Sequence, residues 1–138
     1  MPFKNPAVYD QESVVKGFFI HHCLPGATAA TAANHGKFWT APAKCVIDSV
    51  TVVFSANSSS GTFQLAKVPS GTAQGSGTNL LTTTIDLGTG ANTNQAGTLV
   101  AVAATLELAA GDSLESVDGG TLTSLTDFVI TVGAHWIP

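Results

Sequence analysis

Near the C-terminus, Phe128, Ile130, Val132, Ala134 and Trp136 alternate with Val129, Thr131, Gly133 and His135. Only a pleated strand turns successive side chains to opposite faces, so this run fixes a β-strand with one apolar face. The same period recurs upstream. Val50, Val52 and Phe54 share one face, and Ser49, Thr51 and Ser55 share the other. Val46 and Ile47 fall on opposite faces, which leaves room for a bulge near Asp48. Phe63 and Leu65 point inward within a strand from Thr62 to Val68 that Pro69 ends. Leu81, Ile85 and Leu87 alternate with Thr82 and Thr84 in a strand from 80 to 87.

Shorter β runs complete the set: Gly17 to Cys23, Lys37 to Thr40 before Pro42, Leu99 to Leu108 with a break near Ala103-Ala104, and Leu114 to Val117. Turn chemistry separates them. Pro25-Gly26, Asn57 to Gly61 and Ala109 to Asp112 read as turns, and Asp118-Gly119 as a hairpin dipeptide. Ser70 to Thr78 and Gly88 to Gly97 read as long polar loops, the first of them flexible. The Ala-rich stretch from 27 to 36 lacks large apolar residues to bury a helical face, so it reads as a loop with a turn or two at most. Eight or so short strands without an amphipathic helix predict an all-β sandwich or barrel.

The chain has 138 residues and a mass of 14.0 kDa, enough for one core. Residues 1–15 read as an extended N-terminal arm. Pro2 and Pro6 exclude a regular helix there, and Phe3, Val8 and Tyr9 offer apolar anchors. Residues 16–138 then form a single β-sandwich domain.

Only 10% of residues are charged, against about 25% in an average soluble protein. The exterior must therefore be Thr, Ser, Asn, Gly and Ala. Such a surface repels its neighbours little. It fits a compact uncharged domain, and better a subunit packed against other subunits. There is no arginine, and Lys4, Lys16, Lys37, Lys44 and Lys67 are scattered, so no nucleic-acid partner is expected. No apolar run reaches membrane-helix length, so no membrane partner is expected either. Asp10, Gln11, Glu12 and Lys16 interrupt any secretory apolar stretch. Synthesis in a cytoplasm is therefore expected. Cys23 and Cys45 are too few for a disulfide framework and are expected free.

The search for chemistry is mostly negative. No Gly-x-Ser-x-Gly elbow occurs, and Gly71, Gly75, Gly77 and Gly88-Thr89-Gly90 have the wrong spacing for a dinucleotide loop. His21 and His22, being adjacent, face opposite ways in a strand and do not join in one metal site. Glu107, Asp112, Glu115 and Asp118 crowd one turn. Their oxygens suit calcium, but solvated turn residues are the plainer reading. No catalytic residue, cofactor or metal is therefore expected, and no enzyme. Trp136 follows the inward register of the last strand. Trp39, between loop signals, is a candidate surface anchor or a platform for a sugar.

Three segments carry a resemblance. Lys67-Val68-Pro69-Ser70-Gly71-Thr72, Gly77-Thr78-Asn79-Leu80-Leu81 and Leu106-Glu107-Leu108-Ala109-Ala110-Gly111-Asp112-Ser113-Leu114 are similar to small structural proteins of tailed-bacteriophage virions. Among these are capsid decoration, or cement, proteins of jelly-roll type. The likeness spans roughly residues 45–136 and leaves out the N-terminal arm. It implies a jelly-roll-like two-sheet β-sandwich, placed on the capsid exterior of a virion. Its partners would be the major capsid protein and itself, as a homodimer or homotrimer. Pro2, Phe3, Pro6, Val8, Tyr9 and Trp39 are then the expected interface residues. The alternative is a receptor- or carbohydrate-binding β-sandwich of a phage fibre or adhesin.

Overall fold

The computed structural model describes residues 17–27 and 36–138. Residues 1–16 and 28–35, which take in the expected N-terminal arm and most of the Ala-rich stretch, lie outside the described residues. Among the described residues ten strands run in chain order: β1 (Gly17–Ala27), β2 (Lys37–Thr40), β3 (Cys45–Val53), β4 (Thr62–Val68), β5 (Thr78–Asn79), β6 (Ile85–Asp86), β7 (Gln95–Ala96), β8 (Glu107–Leu108), β9 (Ser113–Gly119) and β10 (Thr126–Trp136). One four-residue helical turn, α1 (Ala103–Leu106), precedes β8. That helix is far too short to cross a membrane.

The strands form two antiparallel sheets. The first runs β1-β10-β3-β7, with β8 also on β3; the second runs β2-β9-β4-β5, with β6 also on β4. The pairings are nested: β1 with β10, β2 with β9, β3 with β7 and β8, β4 with β5 and β6. The chain is thus one long antiparallel ribbon, doubled back between β4 and β5. The ribbon is rolled so that β10 also meets β3 and β9 also meets β4. An all-β two-sheet sandwich results, one of the two architectures the alternation allowed.

The apolar faces meet between the sheets. Phe128, Ile130, Val132 and Ala134 of β10 pack with Val50 and Val52 of β3, Phe63 and Leu65 of β4, and Phe54. Phe63 and Phe128 meet edge to face across the layer, with ring centroids 5.6 Å apart. The anticipated bulge is present. Gly133 opposes Ser49 and Ala134 opposes Ile47, so Asp48 is the extra residue. Its carboxylate, turned outward, accepts from Nδ1 of His135 at 2.7 and 2.9 Å.

Four sequence expectations change. The run from 99 to 108 is not a strand: Leu99 makes one bridge to Leu81, then α1 intervenes before the two residues of β8. Alanine favours that turn, and Thr105 N–H donates to Val102 C=O at 3.0 Å. The run from 80 to 87 keeps its buried leucines but is a strand only at Ile85–Asp86, apart from the single bridge at Leu81. Asp118-Gly119 is not a hairpin turn. These residues end β9, opposite Phe63 and Thr62, and the chain crosses to the other sheet before β10. The polar loop after Pro69 is pinned down, as described below.

Candidate interaction surface

The two sheets present different exteriors. The segment from Pro69 to Leu81 folds back over the outside of the second sheet. Glu115 of β9, 1% exposed, accepts the Gly75 N–H at 3.1 and 3.2 Å. Lys37 of β2 donates to Thr72 C=O at 2.7 Å. Gln64 of β4 is buried by the same wrap: its Oε1 accepts Leu81 N–H at 3.0 Å, and its Nε2 donates to Leu81 C=O at 3.2 Å. A covered polar face therefore closes its hydrogen bonds internally.

The outside of the first sheet carries no such cover among the described residues. On β1, Gly17, Phe19, His21 and Cys23 face outward, and Phe18, Ile20, His22 and Leu24 face inward. Phe19 is 70% exposed. Its ring lies beside Gly133 of β10, the residue opposite it in register. His21 shares a hydrogen bond of 3.2 Å with Thr131 Oγ1. As expected, the adjacent histidines part: His22 turns inward and stacks on Phe38 of β2, centroids 4.7 Å apart.

The edge strands β1 and β2 belong to different sheets, and aromatic rings fill the opening between them. Phe18 stacks on Trp136 at 4.1 Å and lies 6.0 Å from Trp39. Trp39 and Trp136 are both part-buried and packed against the core. Trp39 is therefore a plug at the sandwich edge, opposite Leu114 of β9. Of the other expected interface residues, Pro2, Phe3, Pro6, Val8 and Tyr9 lie outside the described residues. Sequence reading missed Phe19. The signal was there, because two adjacent phenylalanines in one strand must face opposite ways.

The four carboxylates of the acidic turn do not converge on one point. Asp112 caps its own turn and its neighbour, accepting Ala109 N–H at 3.0 Å and Ser70 N–H at 3.1 Å. Glu107 pairs with Lys44 at 3.3 Å, and Asp118 accepts the Ser116 hydroxyl at 3.2 Å. Glu115 is not a solvated turn residue at all, since the folded-back loop seals it. Among the described residues no group of three or more His, Cys, Asp or Glu is arranged to hold a metal ion.

No protein-family model matches the chain, and no curated protein does. Among solved structures, a chain of the cyanophage Pam1 capsid asymmetric unit superposes over 100% of both chains, with a TM-score of 0.53 and 14% identity. This chain shares that fold. At so low an identity the likeness speaks for architecture alone. A chain from Bacillus endospore appendages, described as disulfide-linked pili, aligns over 92% of this chain and 94% of its own, with a TM-score of 0.40 and 11% identity.

Proposed function

We propose that this chain is a viral structural protein: a decoration, or cement, protein on the exterior of a tailed-phage head. In this reading it is made in the host cytoplasm, binds across junctions of the major capsid protein, and stabilises the shell without catalysing a reaction. The observation that supports it most is the superposition of the whole chain on a whole chain of a phage capsid asymmetric unit. The nested ribbon supports the jelly-roll type, an antiparallel double strand wrapped into two sheets. The scarcity of charge supports a surface meant to be covered.

The mechanism is mechanical. A close-packed sandwich resists shear, so bridging two capsid subunits ties their motions together. Each contact contributes on the order of 25 cal/mol per Å² of apolar surface removed from water. Repetition over many equivalent sites raises the total far above a single contact.

The test uses heads of the encoding phage assembled without this chain. Purified protein should co-sediment with them to a fixed saturating ratio and raise the temperature at which they burst. Protein that stays in the supernatant and leaves the bursting temperature unchanged would overturn the proposal.

A further inference from the structure

The four sheet edges are not equally guarded. At one edge of the first sheet, β7 and β8 are two residues each, and Glu107 of β8 carries an ion pair with Lys44. At the edges of the second sheet, β5 and β6 are again two residues each. β2 has four residues, a register irregularity at Phe38, the charge of Lys37, and Pro42 just beyond its end. Shortness, charge, irregular register and proline are the devices that stop a strand edge from pairing with another chain.

The remaining edge, β1, has none of these over Gly17 to Leu24. Eight consecutive residues hold unbroken register with β10, and the irregularity comes only after Leu24, at Pro25-Gly26. None of the eight carries a formal charge with histidine neutral. Among the described residues no strand pairs with the far side of β1. Phe19, the most exposed large apolar side chain among the described residues, sits on this strand.

We infer that β1 is a self-association edge, pairing antiparallel with β1 of a second copy about a two-fold axis perpendicular to the sheet. The second copy fits because an uncharged antiparallel edge is complementary to itself. Neither partner brings a charge that the other must neutralise, and one rotation satisfies both sets of backbone groups. Pairing would join the two first sheets into one and bring their bare outer faces side by side. The inference stands independently of the capsid role.

Geometry restricts the register. Directly opposed residues must share a face, so their numbers are both odd or both even. Within Gly17 to Leu24 the fullest overlap then centres on Ile20 or on His21. The first sets Cys23 opposite Gly17 of the second copy; the second sets Cys23 opposite Phe19.

Sedimentation equilibrium of the full chain should therefore give a dimer. Phe19→Lys, at an exposed site, should keep the folded spectrum and melting temperature but weaken the dimer at least tenfold. In the otherwise native chain, Gly17→Cys or Phe19→Cys should cross-link to Cys23 of the partner copy under a mild copper oxidant, and only one of them efficiently. Space around Gly17 admits the new side chain, with the nearest backbone atom 3.7 Å from its β-carbon position. A monomer, a trimer, a dimer indifferent to Phe19→Lys, or no cross-link from either cysteine variant would overturn the inference.

Discussion

Two thiols of the same chemistry are set apart by their neighbours. Cys23 lies exposed on the outer face of β1, whereas Cys45 is fully buried at the start of β3. Cys23 stands opposite Val129 and Cys45 opposite Trp136 on the two sides of β10. Seven residues of strand separate those positions, about 23 Å at the usual rise and far beyond the reach of a disulfide. Burial raises the Cys45 thiol above its ordinary 9.0, and the negative charge of Asp112 adds to the rise. Native alkylation should modify Cys23 alone, with Cys45 reacting only after unfolding, as mass spectrometry would show. The raised value also sets a sign. Keeping Cys45 neutral favours the fold fully at pH below about 9, and the benefit is lost as pH climbs toward the raised value. Urea midpoints should fall between pH 8 and 10, and less so in Cys45→Ala. The thiols' free state was legible from their number. Glu115 was not legible, because its burial depends on a loop closing over it through the Gly75 N–H.

At the scale of elements, local chemistry marked the long strands well. Pro69 ends β4, Pro42 follows β2, and the alternation of β10 matches its burial from Phe128 to Val132, beyond which Gly133 is buried as well. The phase slip at Val46-Ile47 located the Asp48 bulge, because an extra residue is the one way a strand can change its inward face. Two-residue strands such as β5 to β8 leave no periodic trace. Connections that cross between sheets also mislead, since Asp118-Gly119 has hairpin chemistry without a hairpin partner. The β9–β10 crossing turns on Gly120, at φ 68°, where a β-carbon would overlap the Ser60 carbonyl oxygen. Gly71, at φ 80°, faces open space. Gly120→Ala should therefore destabilise by roughly 2–4 kcal/mol, combining a backbone clash with conformational strain. Gly71→Ala should cost about 1 kcal/mol from strain alone. Paired denaturant melts measure both.

Across the whole molecule, pairing partners far apart in sequence decide what is exposed, and this the sequence did not disclose. Alternation requires that each strand bury one face, yet nothing local says that one exterior is wrapped and the other, among the described residues, is not. Lys67 is the clearest example of long-range placement. It shares the inward face of β4 with Phe63 and Leu65, and its Nζ reaches across to Glu107 C=O at 2.9 Å and Ala104 C=O at 3.4 Å. One ammonium thus ties the second sheet to α1 and β8 beside the first. Lys67→Met keeps the stem but leaves those carbonyls unsatisfied. It should lower stability by about 1–3 kcal/mol in a thermal or denaturant melt. Exchange of amide hydrogens should rise around residues 103–108 before it rises in the centre of β10.

The nesting of the ribbon governs how the chain comes into being. β10 lies between β1 and β3, so the middle of one layer is contributed by a strand made about 70 residues after β3. Until it emerges, both flanking strands await their common neighbour, and neither layer can seal the apolar interior. The first sheet therefore closes only once residues 126–136 are available, and nascent chains stalled ahead of Thr126 are the species most in need of chaperones.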